Sequence, residues 1–401
     1  MSDQNPVFIP GPTNIPDRLR RAMQVQTQDH RSPAFAAVLA PVLDGCKAVF
    51  GTKNAEIVTF PASGTGGWEA AITNTLSPGD AVLVARNGMF SHRWIDMCQR
   101  HGLEVQIIDC PWGSGAPADR FAEALRADTD HAIKAVLVTH NETATGVTSD
   151  IAALRAALDE TGHPALLFVD GVSSISSIPF EMTGWGVDLA VAGSQKGFML
   201  PAGLGFLGVS EKALAAHERS EMPRCYFSFE DMIRLNDTGY FPYTPPTPLL
   251  RGLRTSLDML LADGMESVWA RHHRLAEGVR AAVAEWPGCR LVADGPEWHS
   301  DTVSAIYTPE GIDARNVIET AYFKYQTSLG SGLAKLAGRA FRIGHLGSLN
   351  PVMLCGALSA AEMALRDTGA EITPGRGVAA AQEAFRMSTP VQTRAAKARA
   401  A

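Results

Sequence analysis

Lys196 stands in the run Ala192-Gly193-Ser194-Gln195-Lys196-Gly197-Phe198, 26 residues after Asp170 of Phe168-Val169-Asp170-Gly171-Val172-Ser173-Ser174. An apolar run ending in Asp and a second ending in Ser-Gln-Lys suit two neighbouring strands of one sheet. Their ends would bring a carboxylate and an amine into one crevice. Pyridoxal phosphate needs such a pair. A lysine forms a Schiff base with its aldehyde, and an acid partners the pyridinium nitrogen. The carboxylate keeps that nitrogen protonated, so the ring can accept electrons from a substrate carbanion. Taken by themselves, the two residues also fit an exposed strand-end Asp and an unrelated Lys.

Two further segments could serve the same chemistry. Ala62-Ser63-Gly64-Thr65-Gly66-Gly67-Trp68-Glu69 precedes the apolar stretch Ala70-Ala71-Ile72-Thr73-Asn74-Thr75-Leu76. Small residues before a helix leave free backbone N–H groups at its N-terminus, which favours a phosphate, and Ser63 and Thr65 add hydroxyl donors. The run is neither a dinucleotide fingerprint, since the third glycine is misplaced, nor a Walker loop, since no Gly-Lys-Ser/Thr follows. A plain Gly-rich turn fits it as well. His140-Asn141-Glu142-Thr143-Ala144-Thr145-Gly146 follows the apolar run Ala135–Thr139 and reads as a loop at a strand's carboxyl end. Its Thr143 could hydrogen-bond a ring substituent; a merely solvated loop is the plainer alternative.

Short apolar runs alternate with helical stretches over the first half of the chain. Candidate strands are 81–86, 104–109, 135–139, 165–170, 188–192 and 204–209. Between them, 150–160 carries Ile151, Leu154 and Leu158 on one helical stripe. Strands alternating with helices imply a mainly parallel sheet covered on both faces, with ligands outside the carboxyl ends of the strands. Residues 251–284 read as one long helix leading out of this domain. Beyond it, strands at 290–292, 302–307 and 340–344 interleave with helices at 313–325 and 352–365, the pattern of a smaller α+β domain. The last dozen residues, with Arg394, Lys397 and Arg399, read as a frayed helix or disordered tail.

Composition narrows the partners. With 401 residues the chain can bury a large core and split into two domains. Apolar residues make up 46% and charged residues 19%, as in soluble globular enzymes. A net charge of −7 argues against nucleic acid or an anionic membrane as main partner. Six scattered cysteines, with no CxxC and no Cys/His zinc spacing, read as thiols of a reducing cytosol, and no metal is expected. The N-terminus has no signal-peptide pattern, no apolar run approaches a membrane span, and no peroxisomal address ends the chain, so the expected location is cytoplasmic. His272 and His273, on the long helix expected over 251–284, read as surface or capping residues.

In order along almost the whole chain stand PGPTNIP (10–16), DHRSPAF (29–35), FPASGTGGWEAAITNTLSPGD (60–80), SHRWIDM (91–97), HNETATGV (140–147), ALLFVDGVSS (165–174), GSQKGFMLPAGLG (193–205), GYFPYTPP (239–246) and FRIGHLGSLN (341–350). Together they resemble the class V pyridoxal-phosphate aminotransferases of fold type I, nearest to the serine–glyoxylate and aspartate–glyoxylate group of the alanine–glyoxylate aminotransferase family. The resemblance implies a large domain, 20–265, around a mainly parallel seven-stranded sheet. A smaller α+β domain would comprise 1–19 and 266–388, with a tail at 389–401. It implies that Lys196 carries the cofactor and moves the proton, and that Asp170 pairs with the ring nitrogen. Ser63, Gly64 and Thr65 would hold the phosphate with help from Gln195. Phe90 would stack on the ring where many members have Trp, Val172 would pack on the other face, and Thr143 would contact the ring hydroxyl. Thr244 would reach the phosphate of a second subunit. Tyr243 is a weaker candidate for the family's phosphate tyrosine, whose place Phe241 could also fill. Arg342 would bind the substrate carboxylate, and His30 and Arg31 would cross from the second subunit to the donor side chain. The implied enzyme is a homodimer with shared sites, which could pair further into a dimer of dimers. It would move nitrogen from serine or aspartate to glyoxylate. Alanine as donor is the nearest alternative. A cysteine desulfurase would need a nucleophilic Cys on a mobile loop; the candidate loop, Tyr325-Gln326-Thr327-Ser328-Leu329-Gly330-Ser331-Gly332, has none, and Cys355 reads as core. A phosphoserine aminotransferase would need extra basic residues that cannot be identified.

Overall fold

The computed structural model describes residues 6–262 and 264–388; the expected tail at 389–401 lies outside the described residues. The central sheet is built from β1 (Glu56–Phe60), β2 (Ala81–Arg86), β3 (Glu104–Asp109), β4 (Ile133–Thr139), β5 (Leu166–Asp170), β6 (Leu189–Gly193) and β7 (Gly205–Val209). Its order is β1-β7-β6-β5-β4-β2-β3. Only β7 runs against its neighbours; the other contacts in the sheet are parallel. The strands β5, β6 and β7 are buried at every residue, which is why they read as unbroken apolar runs. The edge strand β3 alternates between more and less exposed positions instead. One strand of the seven, β1, is not among the runs singled out in the sequence. Its Glu-Ile-Val-Thr-Phe is short and carries two polar residues.

The mostly parallel order puts the carboxyl ends of β1, β2, β4, β5 and β6 on one edge. The segments leaving those ends carry Ser63, Phe90, Thr143, Asp170 and Lys196, respectively. The parallel register of β5 and β6 sets Asp170 opposite Val191. Lys196 follows a few residues beyond the end of β6.

A second sheet has the strand order Val7–Phe8, Ser328–Ser331, Ala340–Gly344, Val303–Tyr307 and Arg290–Leu291. It has its own apolar core, in which Phe341 and Ile343 meet Leu354, Leu358 and Trp286. The N-terminal strand joins this sheet beside Ser328 and Leu329. The segment 325–332, read from sequence as a loop, therefore contains a strand.

Two other expectations need correction. The long helix expected over 251–284 is two helices, Thr247–Ala262 and Met265–Ala284. Gly264 between them has φ +84°, a left-handed conformation that glycine adopts without a Cβ penalty. His272 is neither a surface nor a capping residue. It is fully buried, accepts the Gly347 N–H at 3.0 Å through Nε2, and pairs with the Val268 carbonyl at 2.8 Å through Nδ1. His273, one position on, lies 2.9 Å from Asp301 Oδ2 at the surface. Cys355 is partly buried against the second core. No described helix is long and apolar enough to cross a membrane.

Candidate active site

Asp170 ends β5 fully enclosed, at 4% exposure. Its Oδ1 accepts the Val172 N–H at 3.0 Å. Burial, followed by the neighbouring Glu142 charge, pushes its carboxyl up to about 7, against the pull of Lys196 and of the Val172 bond. The Trp68 indole lies close by and favours the ionised form, yet its N–H meets no full hydrogen-bond geometry. Lys196 shares the crevice. Burial and then the Arg342 charge bring its ammonium down to about 8, while Asp170 acts the other way. Its Nζ donates to the Pro10 carbonyl. An amine shifted this far is neutral in a large fraction near pH 8, the form that attacks a carbonyl.

The N-terminal segment closes over this loop. The Thr13 hydroxyl donates to the Lys196 carbonyl at 3.1 Å, and the Thr13 N–H to the Gln195 carbonyl at 3.1 Å. Nothing in the residue types of Pro10-Gly11-Pro12-Thr13 signalled that contact.

The helix Gly64–Thr75 begins at the same edge, with Ser63 as its N-cap. The Ser63 hydroxyl makes no capping bond, so the first-turn N–H groups keep their donor capacity. Ser63 and Thr65 are exposed, and Gly64 is buried against Val172. Gln195 stands beside them; its amide oxygen, an acceptor, is buried without a partner, so only its NH2 could join the donors to an anion. This donor set at a helix N-terminus matches an anion of phosphate size.

Further loops bring residues to the same edge. Phe90 is half-buried at the start of the helix Met89–Arg100, with the Arg93 guanidinium 5.6 Å from its ring centroid. The Thr143 hydroxyl lies 2.7 Å from the Ser173 hydroxyl. Ser173 in turn receives the Asn141 amide at 2.9 Å. The same amide donates to Thr302 at 3.0 Å and accepts from Ser300 at 2.6 Å, so hydroxyls beside the second sheet support the loop.

Arg342 arrives from the second sheet, on the strand Ala340–Gly344. Its Nε donates to the Ser331 carbonyl at 2.8 Å and its Nη1 to the Thr143 carbonyl at 2.9 Å. Burial lowers its guanidinium to about 10, with Glu142 partly restoring it. Even so it stays charged at neutral pH, a fork held next to the Lys196 crevice.

Four expected residues make no hydrogen bond into this crevice within one chain, among the described residues. His30 is half-buried, with Nε2 enclosed and unpartnered. Arg31 is exposed, and its backbone N–H donates to Asp29 at 2.9 Å. Tyr243 stacks on Tyr226 at 4.4 Å between centroids, and its hydroxyl donates to the Tyr226 carbonyl at 3.3 Å. Thr244 is exposed. Phe241 is buried against Phe35, 6.2 Å between centroids.

The protein's residues suit pyridoxal phosphate on two grounds. A buried carboxylate, Asp170, sits where it lacks a full positive partner, and an uncapped helix N-terminus faces the same edge. Glu142 and Trp68, which the sequence reading left without a role, belong to this site as well.

The family model for class-V aminotransferases matches residues 18–320. The L-aspartate–glyoxylate aminotransferase of Paracoccus denitrificans (strain Pd 1222) is 58% identical over 393 residues, covering 97% of this chain and 98% of the relative. The serine–glyoxylate aminotransferase of Hyphomicrobium methylovorum is 56% identical over 400 residues, covering 97% and 98%. Among solved structures, pyridoxamine–pyruvate aminotransferase from Mesorhizobium loti superposes with a TM-score of 0.89 at 28% identity, covering 96% of this chain and 98% of that one. A match of this length, on a chain that gathers a buried lysine, aspartate and arginine at one sheet edge, leaves one conclusion: the chain belongs to the class-V aminotransferases, a pyridoxal-phosphate-dependent family.

Proposed function

We propose that this chain transfers the amino group of L-serine or L-aspartate to glyoxylate, releasing glycine and hydroxypyruvate or oxaloacetate. The observation that carries this reading is the meeting of Lys196, Asp170 and Arg342 at the carboxyl edge of the large sheet, with a helix N-terminus alongside. The relatives named for these two donors support the choice of substrates.

Pyridoxal phosphate, when bound, supplies an aldehyde for amine exchange and a ring that accepts an electron pair. The protein's residues do the rest. Arg342 takes the α-carboxylate of donor and acceptor alike, because its planar fork matches two oxygens. Lys196 Nζ removes the donor's Cα proton and carries it onward, a task suited to an amine held near neutrality. Asp170 holds a proton on the ring nitrogen by charge, and gains a cationic partner as it does so. Ser63, Gly64, Thr65 and Gln195 would hold the phosphate. Phe90 and Val172 would enclose the ring, and Thr143 would meet its hydroxyl. The site is shared between two copies of the chain: Thr244, with Tyr243, serves the neighbour's phosphate, and His30 with Arg31 faces the neighbour's donor side chain. The two folding units divide near 265, with 1–19 joining the smaller. A cytoplasmic setting accords with six free cysteines.

A desulfurase reading has no support from 325–332, which carries no Cys. The test is a donor panel. The purified protein, with glyoxylate as acceptor, is assayed against serine, aspartate and alanine. Glycine formation is expected with serine or aspartate well above alanine, since Arg31 offers donors that an alanine methyl leaves unpaired. Equal rates with alanine would remove the donor assignment.

A further inference from the structure

Glu142 is wholly buried, yet every partner of its carboxylate is a donor. The Phe90 and Ser91 N–H groups both reach Oε2 at 3.0 Å. The Ser91 hydroxyl lies 3.2 Å from Oε2, and the Ala144 N–H donates to Oε1 at 3.1 Å. Phe90 and Ser91 are first-turn residues of the helix Met89–Arg100, so the carboxylate occupies the place of an N-cap, reaching in from another loop. Burial raises the Glu142 carboxyl above its usual range, while these backbone N–H groups, which cannot turn round and accept, favour the ionised acid. The approach is tight: a Cβ on Gly88 would stand 2.2 Å from Glu142 Cγ. A glycine is therefore required there.

The next residue on the same loop faces the other way. Thr143 gives its carbonyl to Arg342 and its hydroxyl to Ser173. One short segment thus ties the helix that carries Phe90 to the arginine and to the wall around Asp170. We infer that Glu142 is a positioning residue: its carboxylate sets where the Phe90 ring stands over the cofactor ring. The inference rests on pyridoxal phosphate occupying the site described above. Glu142 itself touches no reacting atom. Its effect passes through Phe90, and that route separates it from a residue that merely stabilises the fold.

A double-mutant cycle tests the route. Glu142→Gln, Phe90→Ala and the double variant are prepared as holoenzymes alongside wild type. Pyridoxal phosphate release on dilution gives the dissociation constant, and visible circular dichroism reads the seating of the bound cofactor. Glu142→Gln keeps the length, loses the charge and turns an N–H toward donors, so cofactor affinity is expected to fall about tenfold, the scale of one charge-assisted bond. The visible ellipticity should fall with it. In the Phe90→Ala background the same change should add little, because the ring it positions is gone. Losses that multiply in the double variant overturn the role. So does Glu142→Gln with wild-type affinity and ellipticity. Should Glu142→Gln fail to fold, Ser91→Ala removes a single hydroxyl from the same cluster. It is expected to lower the ellipticity in the wild-type background and to leave it unchanged in Phe90→Ala; unchanged ellipticity in both overturns the role. A wild-type protein that holds no pyridoxal phosphate overturns the cofactor assignment and this role together, whereas normal wild-type binding with multiplied losses overturns the role alone.

Discussion

At the scale of single residues, the site works by taking charges out of water. Lys196 comes down to about 8 because it is buried and faces Arg342. Capture of pyridoxal phosphate by the apoprotein needs the neutral amine, so its rate should rise with pH and level off above about 8. Stopped-flow absorbance would show this, and a midpoint near 10 would contradict the assigned environment. Lys196→Ala should abolish transamination while retaining some cofactor through the phosphate contacts. Asp170 carries the opposite shift, from 3.8 up to about 7. Between these values the folded apoprotein holds a proton that the unfolded chain has released. Its contribution to stability therefore falls as pH rises through that window, and is flat above it. Asp170→Asn should lose less thermal midpoint than wild type between pH 5 and 8 in apoprotein melts, and should lose most of the activity with cofactor bound. For Arg342→Ala, KM for amino acids and oxo acids should rise together. The loss expected for a charge-assisted bond, about 1.5–3 kcal/mol, corresponds to roughly ten- to a hundredfold. An equal effect on amines without a carboxylate would make Arg342 structural.

Elements aim these residues. Five parallel strands end on one edge, so five loops deliver their side chains to one crevice without long connections. The helix Gly64–Thr75 contributes through its uncapped first turn. That placement makes a selective prediction. Ser63→Ala should weaken pyridoxal phosphate by about 1.5–3 kcal/mol, the worth of one hydrogen bond to a charged group, while leaving pyridoxal unaffected. Equilibrium titration with both ligands checks it, and an equal loss for both would place Ser63 away from the phosphate. The helix break at Gly264 belongs to the same scale. It turns the chain from the large core, which ends near Val268, toward the second core, which includes Leu275.

The whole molecule raises the question of what one chain lacks. Arg31 and Thr244 are exposed, and neither makes a bond toward Lys196 among the described residues. A site shared between two copies predicts that activity per chain falls on dilution, in step with the dimer fraction measured by sedimentation. An active monomer would refute sharing. Arg31→Ala should cut kcat/KM with serine or aspartate far more than with alanine; equal losses would return Arg31 to a structural role.

Much of the site was legible because its chemistry is local in sequence. Asp170 and Lys196 each end an apolar run, and a run buried on both faces is visible as composition alone. Ser63-Gly64-Thr65 before a helix shows itself in the same way. The sheet's count and its mainly parallel character follow from alternating runs and the family likeness. What only the tertiary structure decided depends on contacts between distant segments. Pro10 beneath Lys196, Glu142 at another helix's N-terminus and Arg342 on the Thr143 carbonyl are separated by 186, 52 and 199 positions. No periodicity or propensity encodes such pairs. Buried His272 was misread for the same reason, since its Nε2 partner, the Gly347 N–H, lies 75 positions away. Hydrophobic patterning determines which face of an element turns inward, but packing alone chooses the polar group that it meets there.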